Sequence, residues 1–213
     1  MTGRLGEKAL AVSNMTLSIN SVAFLPLIGL SIASATLVGQ YQGRGDSATA
    51  QRAGWRSLVL GIYYVAFIGL TFVLFPSAYF SAFTARAESG YSLGELVEMG
   101  RNLLIIMAAW GILDAGNVIL AGALKGAGDT RFVLWYSTLL AWGLFVPGIL
   151  LIVLKFGGGL VAMWLFALVY VALLAAGYFV RFRGGKWKSI RVIEAPPPLP
   201  AARPGAEALA TGD

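Results

Sequence analysis

Apolar runs long enough to cross a bilayer recur five times along the chain: about Ala9 to Val38, Ser57 to Phe75, Asn102 to Leu124, Phe132 to Leu154 and Leu160 to Val180. Charges collect between them. A bilayer tolerates no unpaired backbone, and barrel strands would alternate polar with apolar residues, so each run predicts a helix. The predicted fold class is therefore an all-α polytopic membrane bundle of about five transmembrane helices. The third run organises the rest. In RNLLIIMAAWGILDAGNVILAGALKGAGDTR, residues 101–131, the 23 positions between Arg101 and Lys125 hold one ionisable group, Asp114. Those positions span roughly 35 Å as a helix, with Asp114 almost midway. An acid at such a depth costs about 2.5 to 3.5 kcal/mol on insertion scales, which marks it as a functional-site candidate.

The first eight residues, MTGRLGEK, read as a loop. Beyond them the first run carries Ser13, Asn14, Thr16, Ser18, Asn20 and Ser21 in its outer half, then Pro26 and Gly29, which can kink it. Polar residues this dense should face protein or a cavity, and Asn14, Thr16 and Asn20 are candidates to line one; hydrogen-bonding between helices is the alternative. Two loops share a pattern 83 positions apart: Gly39-x-x-x-Gly43-x-Gly45-Asp46-Ser47 and Gly122-x-x-x-Gly126-x-Gly128-Asp129-Thr130. Their glycines permit close helix approach and a left-handed stop, and each Asp can cap the helix that follows. Neither copy has the Gly-Lys-Ser/Thr ending of a phosphate loop. Residues 77–100 read as an interfacial half-helix around Tyr79 to Phe83, a turn at Ser89-Gly90 and a ramp into the third span, with substrate gating as the alternative. The fourth run has a Pro147 kink, and the fifth follows Gly157-Gly158-Gly159 and carries Trp164; its aromatics, like Trp135, Tyr136 and Trp142 of the fourth, read as interfacial anchors. The bundle takes residues 1–193. Its last part, RFRGGKWKSIRVIE, reads as a basic segment against anionic headgroups, and residues 194–213 as a disordered Pro/Ala-rich tail.

Composition narrows the chemistry. Hydrophobic residues make up 58% of the chain and charged ones 12%, and there is no Cys and no His. Thiolate nucleophiles, imidazole bases and the usual zinc sets are excluded. The first run is about twice the length of a signal-peptide core, so it reads as a mature helix. The net charge of +6 does not point to nucleic acid, because the sixteen basic residues sit in the loops. Alternate loops place eleven on one side: Arg44, Arg52, Arg56, Lys125, Arg131, Arg181, Arg183, Lys186, Lys188, Arg191 and Arg203. By the positive-inside rule this side, with the C-terminus, is cytoplasmic. Five helices then leave the N-terminus outside, and such an odd count leads us to expect a missing helix.

On a helix, Gly111, Asn117, Val118 and Ala121 share a face with Asp114, so the acid sits by an amide among small residues, with room for an ion or a positively charged cargo. PLIGLSIASATLVGQYQGRGD, LDAGNVILAGALKGAGDTR and the Gly-rich start of the last helix together resemble the multidrug and toxic compound extrusion (MATE) family, in its NorM-like branch, over nearly all of residues 3–193. The resemblance implies part of the C-terminal lobe of a two-lobe inner-membrane antiporter exporting cationic drugs against Na⁺ or H⁺, with Asp114 as coupling-ion contact, Na⁺ if a metal, or as substrate-cation contact. It implies no cofactor. The implied partners are lipid, a small cationic substrate, and a missing N-terminal lobe or second chain. A lipid-linked-sugar flippase would need intramembrane cations, and the helix interiors contain no Lys or Arg. A membrane enzyme lacks a base for any nucleophile. A non-catalytic structural subunit is opposed chiefly by Asp114.

Overall fold

A computed structural model describes residues 2–84, 92–154 and 160–190. The elements are α1 (Thr2–Gly43), α2 (Ser47–Leu74), α3 (Pro76–Thr84), α4 (Leu93–Gly126), α5 (Thr130–Leu140), a π-helical turn (Ala141–Phe145), α6 (Val146–Leu154), α7 (Leu160–Gly184) and a 3₁₀ turn (Lys186–Ser189). Among the described residues there is no strand, and five helical stretches are long and apolar enough to cross a membrane: Val12–Gly43, Ser47–Leu74, Gly100–Gly126, Thr130–Ile152 and Leu165–Gly184. The protein is an all-α polytopic membrane bundle. The opening residues are not a loop, since α1 begins at Thr2. Nothing in residues 2–8 forbids helix, because proline is absent. The second helix starts at Ser47, ten residues before its apolar run, because Asp46 caps it: its carboxylate accepts the Thr49 amide at 2.9 Å. Hydrogen bonds from the Thr49 side chain and then from this amide hold the exposed Asp46 carboxyl below its ordinary pKa, since they favour the charged form.

α4 is the hub. It packs against α1, α2, α3, α5 and α7, most extensively against α1. The repeated glycine motifs explain that contact, because the two copies face each other. A Cβ on Gly39 would lie 2.9 Å from the Gly126 carbonyl oxygen, and one on Gly126 would lie 2.7 Å from Ala35 Cα. One turn earlier Gly122 meets Ser31, whose hydroxyl donates to the Val118 carbonyl at 2.8 Å. Backbone touches backbone there, as small residues permit in lipid. Gly126→Ala is accordingly expected to destabilise by about 2 to 3 kcal/mol, whereas Gly29→Ala, whose Cβ would meet nothing within 4 Å, should not destabilise. Denaturation in detergent with increasing SDS measures both; equal midpoints would mean that α1 and α4 separate at no cost.

Both helix stops are built alike. Gly45 N–H donates to the Gln42 carbonyl and Asp46 N–H to that of Tyr41, both at 3.0 Å; Gly128 and Asp129 repeat this with Lys125 at 3.0 Å and Leu124 at 2.9 Å. These are Schellman turns, and they require the left-handed φ of Gly45 (77°) and Gly128 (85°). The helix runs through Gly39 and Gly43 and through Gly122 and Gly126 before stopping.

The half-helix expected around Tyr79 to Phe83 is α3. It seats Phe80, fully buried, against Gly100, in a second apolar cluster with Val12, Ile19, Phe72, Leu96 and Leu104. Helical structure continues through Pro26. Ahead of Pro147 the helix widens instead, and Val146 N–H reaches back five residues to Ala141. A regular turn would press the proline ring on the Gly143 carbonyl, and the wider turn removes that clash. The Ser89-Gly90 turn, Gly157 to Gly159, the Trp164 side chain, Arg191 and the 194–213 tail lie outside the described residues.

The basic segment after residue 180 folds back on the bundle through its aromatic residue. Trp187 is 0% exposed, stacked on Phe182 at 5.1 Å, and its Nε1 donates to the Phe182 carbonyl at 2.8 Å. Buried Gln42 clamps the turn, its Nε2 donating to the Lys188 and Ile190 carbonyls, both at 3.0 Å. An aromatic side chain with a satisfied N–H is worth more in this core than at the surface. Arg183, Lys186, Lys188 and Ser189 of this segment remain exposed.

Candidate functional site

Asp114 lies in the middle third of α4. Its neighbours on one side of the helix, Ala115, Ile119 and Leu120, are buried in the main core. Trp110, Asp114, Asn117 and Ala121, spaced four, three and four apart, instead form a half-buried stripe along α4. Asn117 Nδ2 donates to Asp114 Oδ1 at a long 3.4 Å, and the Trp110 side chain also hydrogen-bonds to Asp114. Among the described residues no Lys or Arg pairs with it; the ion pair found there joins Arg181 to Asp129. A carboxylate so placed has two neutral donors and no countercharge, the arrangement in which an added cation finds the least competition. Among the described residues no group of three or more His, Cys, Asp and Glu gathers anywhere. A cation at Asp114 would thus be held by one charge and by neutral oxygens, and Asn117 Oδ1 would join them on rotation of the amide that now turns Nδ2 to the carboxylate.

The remaining candidates are dispersed. Gly111 turns to α2, where a Cβ would lie 2.7 Å from Val65, and Val118 gives its carbonyl to Ser31. Asn20 lines a cavity of about 30 Å³ between α1, α2 and α4, with Tyr64, Phe24, Met107 and Gly111 among its walls. That volume suits about one water and does not admit a drug-sized cation. Thr16 is buried, and its hydroxyl donates to the Val12 carbonyl of its own helix at 2.8 Å. Asn14 is on the exposed side of α1, where Ser18 and Ser21 likewise bond back to their own helix. Trp110 was not foreseen, although its i−4 spacing from Asp114 would have found it.

Asp129 corrects an expectation. It occupies the N-cap position of α5 but makes no side-chain cap bond. It is 4% exposed, and its two oxygens accept Arg181 Nε at 2.7 Å and Nη2 at 3.2 Å. The guanidinium also lies 4.6 Å over the Phe132 ring. A bidentate charged partner outcompetes a single amide for a buried carboxylate. Asp46, exposed and without such a partner, keeps its capping role.

A polytopic helical membrane protein with one unpaired acid inside a span is the class these features define. Comparison with known proteins gives the family. The MatE family model matches residues 1–151. The chain is 28% identical over 183 residues to the probable multidrug resistance protein NorM of Brucella suis, covering 86% of this chain and 38% of that protein. It is 32% identical over 145 residues to the multidrug resistance protein NorM of Burkholderia vietnamiensis (68% and 31%), and 25% identical over 191 residues to the probable NorM of Thermotoga maritima (88% and 39%). The chain belongs to the MatE family. It spans less than two-fifths of the length of these relatives.

Proposed function

We propose that the chain forms part of the C-terminal lobe of a multidrug efflux antiporter, in which Asp114 binds the coupling ion, Na⁺ or H⁺, and the cationic drug in alternation. The observation that carries this reading is the unpaired Asp114, half-buried beside Asn117 within a membrane span. Family membership and the printed names of the relatives support efflux as the activity. Competition of two cations for one negative site makes exchange obligatory when each favours the conformation from which the other has left. A second bundle, whether further chain or another subunit, supplies the opposite wall of the cavity, since alternating access requires two bodies rocking about a shared site. The end of this bundle that collects the two Schellman turns and the basic residues faces the cytoplasm.

Vesicles containing a complete transporter with this bundle should accumulate a cationic dye when a Na⁺ or H⁺ gradient is imposed. Vesicles containing residues 1–213 alone should show no uptake above empty vesicles. Coupled uptake by the chain alone would overturn the need for a second bundle, and uptake of an anionic dye in place of the cationic one would overturn the substrate class.

A further inference from the structure

The fourth span is held to the bundle differently in its two halves. The first half, α5, is pinned by polar groups: Asp129 just ahead of it takes Arg181, and the Tyr136 hydroxyl donates to the Leu173 carbonyl of α7 at 2.6 Å. Val133 is buried in the main core, and Phe132 and Tyr136 pack edge-on against Tyr178. The second half, α6, has no polar side chain from Val146 to Leu154. Ring contacts hold this end to α7: Phe145 lies 6.2 Å from Phe166 and 4.7 Å from Tyr170, and Gly148 leaves the space that the Phe166 ring fills. Apolar contact is non-directional and yields to sliding, whereas a hydrogen bond left unmade in the interior is costly.

Between the halves stands the wide turn, Ala141–Phe145. Tyr136 and Gly148 both face α7 although they are twelve positions apart, an offset of about 120° on a regular helix. The extra residue taken up by the turn cuts that offset to about 20°, so the packing of both halves on α7 keeps the turn wide. The turn also lacks a rung of the backbone ladder. Val146 N–H goes to Ala141 and Pro147 has no N–H, so the Trp142 carbonyl receives a helix donor from neither. Kinks form at prolines and π turns, and bending at this one forfeits one hydrogen bond fewer than bending elsewhere on the helix. Gly143 is exposed, and a Cβ on it would meet nothing within 4 Å, so no described residue braces the joint from that side. We propose that the fourth span is a jointed helix, in which α5 is fixed to the bundle and α6 is an arm that swings on α7 about the wide turn. The swing opens and closes the seam between α6 and the part of α7 that carries Phe166 and Tyr170. This inference rests on packing within the chain and not on the transport reading.

Spin labels test this cleanly, since the chain has no native cysteine. Labels on Leu154→Cys/Val169→Cys report the arm against α7, and labels on Leu134→Cys/Val180→Cys report α5 against α7; all four positions are exposed. Double electron–electron resonance is recorded on the purified chain, residues 1–213, in lipid nanodiscs. A sharp helix kink is about 20° or more, and Leu154 lies seven residues, about 10 Å, beyond Pro147, so a swing of that size moves its label by about 4 Å. The arm pair should therefore give a distance distribution about 4 Å broader than the α5 pair. Pro147→Ala, which supplies the missing N–H, should remove this excess, and Phe145→Ala, which removes the ring packed on Phe166 and Tyr170, should widen it. Equal widths for the two pairs in the parent chain would leave no arm, and an excess that survives Pro147→Ala would place the joint elsewhere; either result overturns the proposal. An excess unchanged by Phe145→Ala would overturn the ring seam as what holds the arm.

Discussion

Asp114→Asn, placed in a complete transporter containing this bundle, is expected to insert and fold normally and to lose ion-driven efflux. The amide is nearly isosteric with the carboxylate, can still accept from Asn117 and Trp110, and removes only the charge. Because no Lys or Arg among the described residues pairs with Asp114, neutralising it strands no countercharge, and the fold should be unharmed. Transport suffers instead. Couplings between ligand sites are about 1 to 3 kcal/mol, so losing the shared negative site should reduce coupled efflux by at least about fivefold. Asn117→Ala removes one long hydrogen bond and should cost about 1 kcal/mol or less, a several-fold effect. Dye efflux under imposed Na⁺ and H⁺ gradients, normalised to the amount of inserted protein, reads both. Full ion-coupled efflux from Asp114→Asn would make the residue structural and sink the mechanism.

The second large effect concerns stability, and its two arms should be unequal. Arg181→Met leaves the Asp129 carboxylate, 4% exposed, without its partner, whereas Asp129→Asn leaves Arg181, 24% exposed and able to slide its guanidinium toward water or headgroups. Breaking a buried pair costs about 3 to 5 kcal/mol, and Arg181→Met should fall in that range. Asp129→Asn should cost about half as much, since the surviving charge is solvated. Replacing both, as Asp129→Asn/Arg181→Met, should recover most of the Arg181→Met loss, because no buried charge then remains. SDS or thermal unfolding of the four proteins provides the cycle. Additive losses would show that the pair is not coupled.

These two sites also mark how far the sequence could be read. Spans, their order and the central place of residues 101–131 were legible because apolar length and the cost of an intramembrane acid are local properties. The two Gly-x-x-x-Gly stops were legible as punctuation, and their left-handed glycines fell where the repeat put them. Their mutual contact was not, since nothing in a repeat says that its copies touch. Asp129 illustrates the limit: its cap assignment used the next three residues, while its true partner is 52 positions away. The burial of Trp187 was not legible for the same reason: nothing in a basic segment says that Phe182 will stack on its aromatic or that Gln42 will hold the turn. For Asp114 the sequence supplied the residue and its amide neighbour, while Trp110 on the same face was missed although helical spacing places it there.

Because a Cβ on Gly39 would meet the Gly126 carbonyl and one on Gly126 would meet the Ala35 backbone, neither position is free to drift alone. A larger side chain at either removes room that the backbone of the facing helix already occupies, and the Ser31–Val118 bond about two turns away opposes a wider helix spacing that would restore it. The two copies of the motif are thus bound as a single inherited unit: descendants of this chain should either keep both glycines or exchange both together with the neighbouring Ala35.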